Sequence, residues 1–405
     1  MSGTQRPGAD LTITNAAVFD GVSDQLHYAD VYIHDGVIAE IGASGVTRAE
    51  QVIDARGRTL IPGMIDAHFH AYAWAMGGVE LESRKLSYVA LAAASRLGAA
   101  LRRGFTTVRD VAGGDIGLAQ ALDDGLVAAP RYLYTGPALS QTGGHGDPRS
   151  PELDVCWCCG HMNELVDGAD ALRRAVRERF RTGAHAIKIM ASGGVVSLSD
   201  PIRVPQYSAE EIAAVADEAT RWGSYVAAHA YSAEAIVHAV GNGVRSVEHG
   251  NLLDAEAARV MAERDATLVP TLATYDAMNR RGGEVNLPAV SRAKNSEVLD
   301  TGKQAIEIAR AHGVRIGFGT DLMGPLEGEQ LHGIRLQLDV EPVENVLRAL
   351  TSVNATLLGR SDIGRIAEGC AGDLVLLSGD PFAEPSVLWD EVRPRTVVQA
   401  GAVVA

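Results

Sequence analysis

Eight short apolar segments, each followed by a longer segment with helical spacing, fill the middle of the chain. The strand candidates are, in chain order, GMIDAHFH, FTTVRD, RYLYTG, HAIKIMA, SYVAAHA, VRSVEHG, ATLVPT and VRIGFGTD. Apolar strands that alternate with helices are typical of parallel βα units, in which helices cover the sheet. Eight such units are the number that closes a (β/α)8, or TIM, barrel. We therefore predict an α/β fold with this barrel over residues 62–362.

Local signals mark the ends of two helices that flank the fourth strand candidate. In ADALRRAVRERFRTG the apolar residues recur at helical spacing, and Gly183 supplies a stop signal. In SAEEIAAVADEATRWG, Ser208 is followed three residues later by Glu211, which is the pattern of an N-terminal capping box. Both signals support the alternation of strands and helices.

The two ends of the chain show a different pattern, with short β-branched runs and tight turns. The segments LTITNAAVFDG, ADVYIHDGVIAEIG and AEQVIDARGRTLIPG precede the barrel, and AGDLVLLSGDP and RPRTVVQAGAVVA follow it. Asp-Gly and Arg-Gly pairs, which favour turns, interrupt the runs. We predict that residues 1–61 and 363–405 meet to form one small composite β-sandwich beside the barrel.

The composition argues against some classes of partner. The chain of 405 residues has a formal net charge of −15, which disfavours nucleic acid or an anionic membrane as the main partner. No apolar run approaches the ~20 residues of a membrane helix. The first residues, MSGTQRPGADLTIT, lack the apolar core of a secretory signal. We expect a cytoplasmic protein that binds a small molecule.

Residues with metal-binding chemistry stand at the ends of five of the predicted strands. The segment DAHFH places two histidines on one face of the first strand, because side chains at i and i+2 point the same way. A single histidine at a strand end is more often structural. Catalytic residues of TIM barrels, however, project from the carboxyl ends of the strands, so the coincidence predicts a metal site. The candidate ligands are His68, His70, Lys188, His229, His249 and Asp321.

The motifs PGMIDAHFH, GAHAIKIMASGGV, VAAHAYS, VEHGN and GFGTD together resemble the amidohydrolase superfamily. Within it, they resemble the imidazolonepropionase-like and Xaa-Pro dipeptidase-like hydrolases, and the resemblance covers essentially the whole chain. It implies two divalent metal ions. The more buried ion would be held by His68, His70 and Asp321, and the more exposed one by His229 and His249. The resemblance also implies that Lys188 carries a CO2-derived carbamate that bridges both ions.

The physical chemistry of Lys188 agrees with a carbamate. The residue lies between Ile187 and Ile189, where a lysine needs a partner for its amine. Burial lowers the pKa of a lysine, and the uncharged amine can react with CO2 to give an anion with two oxygen ligands. Imidazole and oxygen ligands suit Zn best and also accept Mn, Co or Fe, so the sequence leaves the metal open.

The resemblance further implies hydrolysis of a C–N bond by a hydroxide that bridges the metals. Asp321 would accept the proton of the nucleophile and pass it to the leaving nitrogen. Tyr231 would hold a carboxylate or carbonyl of the substrate, or serve the structure alone. His145, in the loop QTGGHGDP, would donate a hydrogen bond to the developing oxyanion, or lie in solvent without a role.

The substrate class stays open at this point. We expect dipeptides of the Xaa-Pro type or N-acyl amino acids. The alternative is a xenobiotic such as an aryl urea, a carbamate or an N-acylated toxin, because the metal ligands would be identical. A mononuclear deaminase would not need Lys188, and a Schiff-base lyase would leave the histidines without a role. A non-enzymatic barrel would have lost ligands, and none is missing.

Two further expectations concern a cysteine cluster and assembly. The segment CWCCGH contains Cys156, Cys158 and Cys159 followed by His161. It fits a structural metal site, a redox switch or simply packed thiols, and adjacent cysteines rarely bind one ion, which disfavours a metal. Because similar proteins are often oligomers, we expect a homo-oligomer.

Overall fold

The computed structural model describes residues 8–42, 45, 49–157, 160–198 and 200–405. Within these residues the chain forms eighteen strands and thirteen α-helices. The strands are β1 (Leu11–Val18), β2 (His27–His34), β3 (Val37–Gly42), β4 (Val52–Asp54), β5 (Thr59–Pro62), β6 (Met64–Phe69), β7 (Phe105–Asp110), β8 (Arg131–Tyr134), β9 (Ala138–Ser140), β10 (Asn163–Leu165), β11 (Ile187–Met190), β12 (Val226–Ser232), β13 (Ser246–Leu252), β14 (Thr267–Val269), β15 (Arg315–Ile316), β16 (Leu374–Leu376), β17 (Thr396–Gln399) and β18 (Ala402–Val403).

Helices separate most of the central strands. They are α1 (Gly78–Ser83), α2 (Leu86–Arg102), α3 (Ile116–Asp123), α4 (Ala169–Arg181), α5 (Ala209–Arg221), α6 (Ala233–Gly241), α7 (Ala255–Glu263), α8 (Leu272–Arg281), α9 (Ala289–Leu299), α10 (Thr301–Ala311), α11 (Gln330–Leu338), α12 (Val343–Arg348) and α13 (Asn354–Leu357). Short 3-10 segments span Gly324–Glu329 and Pro385–Leu388, and a π-helical turn spans Ala349–Val353. No helix of the described residues is both long enough and apolar enough to span a bilayer.

Two parallel sheets form the centre of the fold. One contains β6, β7 and β8, and the other has the order β10-β9-β11-β12-β13-β14-β15. All eight predicted strands are present, as β6, β7, β8 and β11 to β15. At least one helix follows each of them before the next of the eight begins, and helices α11 to α13 follow the last. The prediction of an α/β fold with parallel strands is therefore confirmed.

The predicted helix signals are also found. Ser208 caps α5, and Glu211 accepts a hydrogen bond from the Ser208 backbone at 2.8 Å, which completes the capping box. Helix α4 ends at Arg181, and Gly183 follows it with a φ of +87°, a left-handed conformation that glycine adopts readily. Strands β9 and β10 were not predicted, because each has only three residues.

Backbone hydrogen bonds link the two parallel sheets at both ends. Ala67 N donates to Phe318 O at 3.0 Å, and Asp321 N donates to His68 O at 2.8 Å. At the other end, His185 N donates to Tyr134 O at 2.7 Å. The strand that carries His68 therefore runs beside the segment that carries Asp321, although 253 positions separate them along the printed chain (321 − 68).

The two ends of the chain share one eight-stranded sheet. Its order is β18-β17-β16-β5-β1-β2-β3, with β4 paired to β1, so C-terminal strands continue an N-terminal sheet. The join is the antiparallel pair β5–β16, in which Val375 lies opposite Ile61. Val375 and Ile61 also pack with Met64 and Phe105 in the largest apolar cluster, which ties this sheet to the central strands. The packing of this sheet as a sandwich and the exact domain limits stay predictions.

Candidate metal centre

His68, His70 and Asp321 converge at the point where β6 meets the segment after β15. His68 Nε2 and His70 Nε2 lie 3.4 and 2.9 Å from Asp321 Oδ1. The residues are 1%, 7% and 9% exposed, so two imidazoles and a carboxylate face one another almost without solvent. His68 lies on β6 and His70 directly follows its last residue, Phe69, and the i, i+2 spacing lets both side chains point the same way.

Two of the candidate ligands occupy unusual backbone conformations. His249 has a φ of +77° and Asp321 a φ of +54°, in the left-handed region that side chains with a Cβ rarely adopt. Such positions cost about 1–3 kcal/mol and cluster at functional sites. His249 lies within β13 and Asp321 follows β15, and both side chains face the other candidate ligands.

His229 and His249 complete the set of histidines, each with one ring nitrogen already engaged. His229 Nε2 donates to Gly193 O at 3.0 Å, which leaves its Nδ1 as the acceptor nitrogen. His249 Nδ1 lies 2.7 Å from Thr271 Oγ1 and 2.8 Å from the Tyr275 hydroxyl. Burial lowers the pKa of both histidines well below the usual value, so both rings are neutral, which is the form that binds metals.

Lys188 projects from β11 into the same region and is 3% exposed. Burial lowers the pKa of its amine to about 8, against the opposing influence of the Glu248 and Asp321 carboxylates. A larger share of the amine is therefore uncharged near neutral pH than for an exposed lysine. This is the state in which an amine acts as a nucleophile.

The chemistry of this donor set fits a divalent metal ion. Ligand atoms of His68, His249 and Asp321 all lie within 4.8 Å of one another. Neutral imidazoles and a carboxylate are ligands that Zn and related divalent ions accept. The geometry of these residues therefore fits a metal-binding site, and the second ion and the carbamate belong to the proposal below.

A buried carboxylate orients His68 from behind. His68 Nδ1 donates to Glu248 Oε2 at 2.7 Å, and Arg109 Nη2 donates to Glu248 Oε1 at 2.8 Å. Arg109 and Glu248 are fully buried, and Ser246 donates a further hydrogen bond to Glu248. Burial alone would raise the pKa of Glu248, but Arg109 and His68 hold it well below its usual range. A histidine whose second nitrogen bonds a carboxylate is typical of metal sites.

Sequence reasoning missed Glu248 and Arg109. Glu248 directly precedes a predicted ligand in VEHGN, but its partners are 180 and 139 positions away in the sequence. A buried arginine in FTTVRD, at the end of a predicted strand, is the one local signal that could have indicated a buried ion pair.

His145 lies at the edge of the site and is not solvated. Its side chain is 10% exposed, and its ring stacks on that of His229 with 4.2 Å between centroids. His145 Nδ1 lies 2.8 Å from Ser197 Oγ and 3.6 Å from Asp200 Oδ2. Its backbone N–H donates to Gln206 Oε1 at 3.0 Å. The loop therefore holds the imidazole in one place beside a candidate ligand.

Lys294, on α9, fastens the loop that holds His145. Its amine donates to the carbonyl oxygens of Gly194, Ser197 and Asp200 at 2.9, 2.8 and 2.7 Å. Burial would raise the pKa of Asp200, but hydrogen bonding to His145 and the nearby charges hold it well below the usual value. We call Lys294, together with these three carbonyls, the loop clamp.

Tyr231 packs among the histidines. Its ring centroid is 4.9 Å from that of His229 and 5.2 Å from that of His249. Its hydroxyl lies 2.7 Å from the Tyr275 hydroxyl, and the residue is 2% exposed. The contact with Tyr275 thus holds the Tyr231 phenol beside the two histidines.

One cavity of about 130 Å³ brings all the predicted site residues together. The predicted residues on its wall are His68, His70, His145, Lys188, His229, Tyr231, His249 and Asp321. Cys156 is exposed, whereas Cys158 and Cys159 lie outside the described residues, so the hypotheses for the cysteine cluster stay untested.

Comparison with known proteins finds similarity over nearly the whole chain. The model of the amidohydrolase family matches residues 59–404. Ochratoxinase from Aspergillus niger is 31% identical over 97% of this chain and 86% of its own. A prolidase solved with N-methylphosphonate-L-proline is 40% identical with a TM-score of 0.94, covering 98% of this chain and 99% of its own. A Xaa-Pro dipeptidase with bound methionine in the active site is 28% identical with a TM-score of 0.88, over 98% and 99% of the two chains.

Proposed function

The chain belongs to the amidohydrolase family and is a hydrolase of C–N bonds, and from this premise we propose that it cleaves dipeptides of the Xaa-Pro type or N-acyl amino acids with two bound metal ions. The observation that carries the proposal is the convergence of His68, His70 and Asp321 at the wall of the cavity that also contains Lys188. The similarity to a prolidase and to a Xaa-Pro dipeptidase supports the substrate class.

Each candidate ligand has a role in this proposal. One ion is held by His68, His70 and Asp321, and the other by His229 and His249. Lys188, as its carbamate, would be a further ligand, and the lowered pKa of its amine favours the reaction with CO2, which releases a proton as the N–C bond forms. The ions, Zn first and otherwise Mn, Co or Fe, supply Lewis acidity and lower the pKa of bound water.

The remaining steps belong to side chains of the cavity. Asp321 accepts a proton from the attacking water and transfers it to the leaving nitrogen, as general base and then as general acid. His145 donates a hydrogen bond to the oxygen that becomes negative in the transition state. Tyr231 donates from its hydroxyl to a carboxylate or carbonyl oxygen of the substrate. The loop clamp supports the role of His145, because it keeps the imidazole at the cavity edge.

The proposal extends to architecture and assembly. The hydrogen bonds that link the two parallel sheets support a closed (β/α)8 barrel, and the shared sheet of the two termini supports a composite sandwich beside it. In a barrel the candidate ligands lie where such folds carry catalytic residues, at the carboxyl ends of the strands. We further propose a cytoplasmic homo-oligomer.

A substrate screen with metal analysis tests the proposal. Metal-replete protein is incubated with Xaa-Pro dipeptides, other dipeptides, N-acyl amino acids and aryl ureas, and amine release is measured. Two ions per chain and turnover of dipeptides or N-acyl amino acids are expected. One ion or none per chain would contradict the binuclear site. Turnover of aryl ureas alone would favour the second candidate, a xenobiotic hydrolase, which the similarity to an ochratoxinase supports.

A further inference from the structure

Methionine is concentrated in the cavity. The chain contains eight methionines, and five of them line this one wall: Met76, Met162, Met190, Met278 and Met323. Four of the five are at most 8% exposed, and Met76 is half-buried. Elsewhere the core consists mainly of alanine, valine, leucine and isoleucine. Methionine is therefore concentrated at the cavity, although Met64 and Met261 are buried elsewhere in the core.

The cavity methionines divide between two apolar clusters. Met162, Met190 and Met323 belong to one, and Met76 packs against it. Met278 belongs to the other, which contains Tyr231 and Tyr275. We call the first group, Met76, Met162, Met190 and Met323, the methionine wall. Its members come from four separate segments of the chain, after β6, before β10, at the end of β11 and after β15.

The charged groups near the methionine wall are already paired. The Glu82 carboxylate accepts hydrogen bonds from the backbone N–H groups of His161, Met162 and Asn163. Arg149 Nη2 donates to Asp147 Oδ2 at 2.6 Å. A charged substrate group packed against the thioethers would lose water, which is costly in an apolar setting. An apolar group meets no such cost.

Methionine also accommodates variation in shape. Its side chain is unbranched, has three rotatable bonds and ends in a polarisable thioether, and proteins use it at surfaces that bind apolar groups of different shapes. Four such side chains can repack around a linear or a planar group. Leucine or isoleucine, with stiffer branched side chains, would favour one shape.

We propose that the methionine wall binds the acyl side of the scissile amide. The substrate then carries an uncharged apolar group there, either the side chain of an apolar N-terminal residue or an N-acyl chain, and the enzyme tolerates linear and aromatic forms. Tyr231, which belongs to the other cluster, then contacts the carboxylate on the opposite, amine side of the scissile amide. This inference rests on the proposed function and narrows its substrate class.

A series of substrates with one leaving group tests the inference. N-acetyl-, N-butyryl-, N-hexanoyl- and N-benzoyl-L-proline are compared with N-succinyl-L-proline, which places a carboxylate at the end of the acyl chain. We expect kcat/KM to rise about fourfold for each methylene that is buried, until the chain outgrows the cavity. The benzoyl compound should be accepted, and the succinyl compound should be at least about tenfold poorer than the butyryl compound.

Two substitutions test the methionine wall directly. Met76→Gln and Met162→Gln keep an unbranched side chain of similar length and add a polar end. Each should lower the ratio of kcat/KM for butyryl- over acetyl-L-proline about five- to tenfold. Met76 is half-buried, so its variant tests the idea even if Met162→Gln unfolds, as the melting temperature will show. Met261→Leu, in a cluster away from the cavity, is the control and should leave the ratio unchanged.

The outcomes separate this inference from the proposed function. Turnover that is independent of acyl length, preference for the succinyl compound, or an unchanged ratio in a folded Met76→Gln variant would overturn the inference while amide hydrolysis still stands. Failure to cleave any N-acyl-L-proline or dipeptide in metal-replete protein would overturn the proposed function itself.

Discussion

His68 and His145 face the same cavity but are held by different parts of the molecule. His68 stands on β6, and its partners Glu248 and Arg109 stand on β13 and β7, all of them buried. His145 lies in a loop, and its partners Ser197, Asp200 and Gln206 lie in another loop. His68, a candidate metal ligand, is thus supported by strand residues, and His145, a proposed contact to the substrate, by loop residues. Strands give the precision that metal ligation needs, whereas loops can change with the substrate.

The largest effect is expected from a change of Lys188, which lies on strand β11. Lys188→Ala removes the proposed bridge between the ions, so metal content and turnover should fall together, with kcat reduced by at least about 1,000-fold. Metal analysis and steady-state kinetics measure both. Lys303→Ala, an exposed lysine of α10, is the control. Full turnover of Lys188→Ala without added short carboxylic acids would contradict the carbamate.

His145→Ala tests the histidine that is held by loop residues, without changing a candidate metal ligand. Loss of one donor to the developing oxyanion should lower kcat by about 100- to 1,000-fold. Metal content should stay that of the wild type, because His145 is not one of the proposed ligands. His312→Ala, at the exposed end of α10, serves as the control. If His145→Ala also loses metal, the division between strand and loop support is wrong.

Glu248→Gln tests the support behind His68. A weaker acceptor for His68 Nδ1 should lower metal affinity by about 10- to 100-fold, measured by competition with a chelator. Turnover in saturating metal should fall less. The control, Glu256→Gln, changes an exposed carboxylate of α7.

The same substitution leaves Arg109 without its charge partner, which costs about 3–5 kcal/mol when the pair is buried. The double variant Arg109→Met, Glu248→Gln removes both charges and should unfold at a higher temperature than Glu248→Gln alone. Metal affinity equal to that of the wild type in either variant would show that His68 needs no support from Glu248.

The smallest effect is expected from the loop clamp. Lys294→Met keeps the side-chain stem but removes the hydrogen bonds to three carbonyls. A small displacement of His145 should lower kcat by about tenfold, with metal content unchanged. Lys303→Met is the matched control. Wild-type kcat in Lys294→Met would show that the loop keeps its place without the clamp.

The strand candidates and the helix caps could be predicted because their signals are local. Ser208 and Glu211 are three positions apart, and the histidines of DAHFH are two apart, so spacing alone fixes which groups meet. The six candidate ligands were also predictable, because the carboxyl ends of parallel strands collect at one edge of the fold.

The supporting residues could not be predicted in the same way. Glu248 meets His68 across 180 positions, and Lys294 meets Gly194 across 100. No periodicity links such pairs, since they depend on how whole elements pack. The methionine wall was missed for the same reason, because its four members are scattered and come together only at the cavity.

The left-handed backbone at His249 and Asp321 has a consequence for engineering. Glycine adopts such conformations without strain, and Gly250 beside His249 does so with a φ of +63°. Replacing either ligand by glycine would therefore remove a local conformational cost of about 1–3 kcal/mol. Both side chains are buried, however, and the His249 ring packs on those of His68, His229 and Tyr231, so the same change would leave a cavity that costs stability. The packing around the two residues therefore holds the strained backbone in place, and relief of that strain alone does not make glycine the more stable choice.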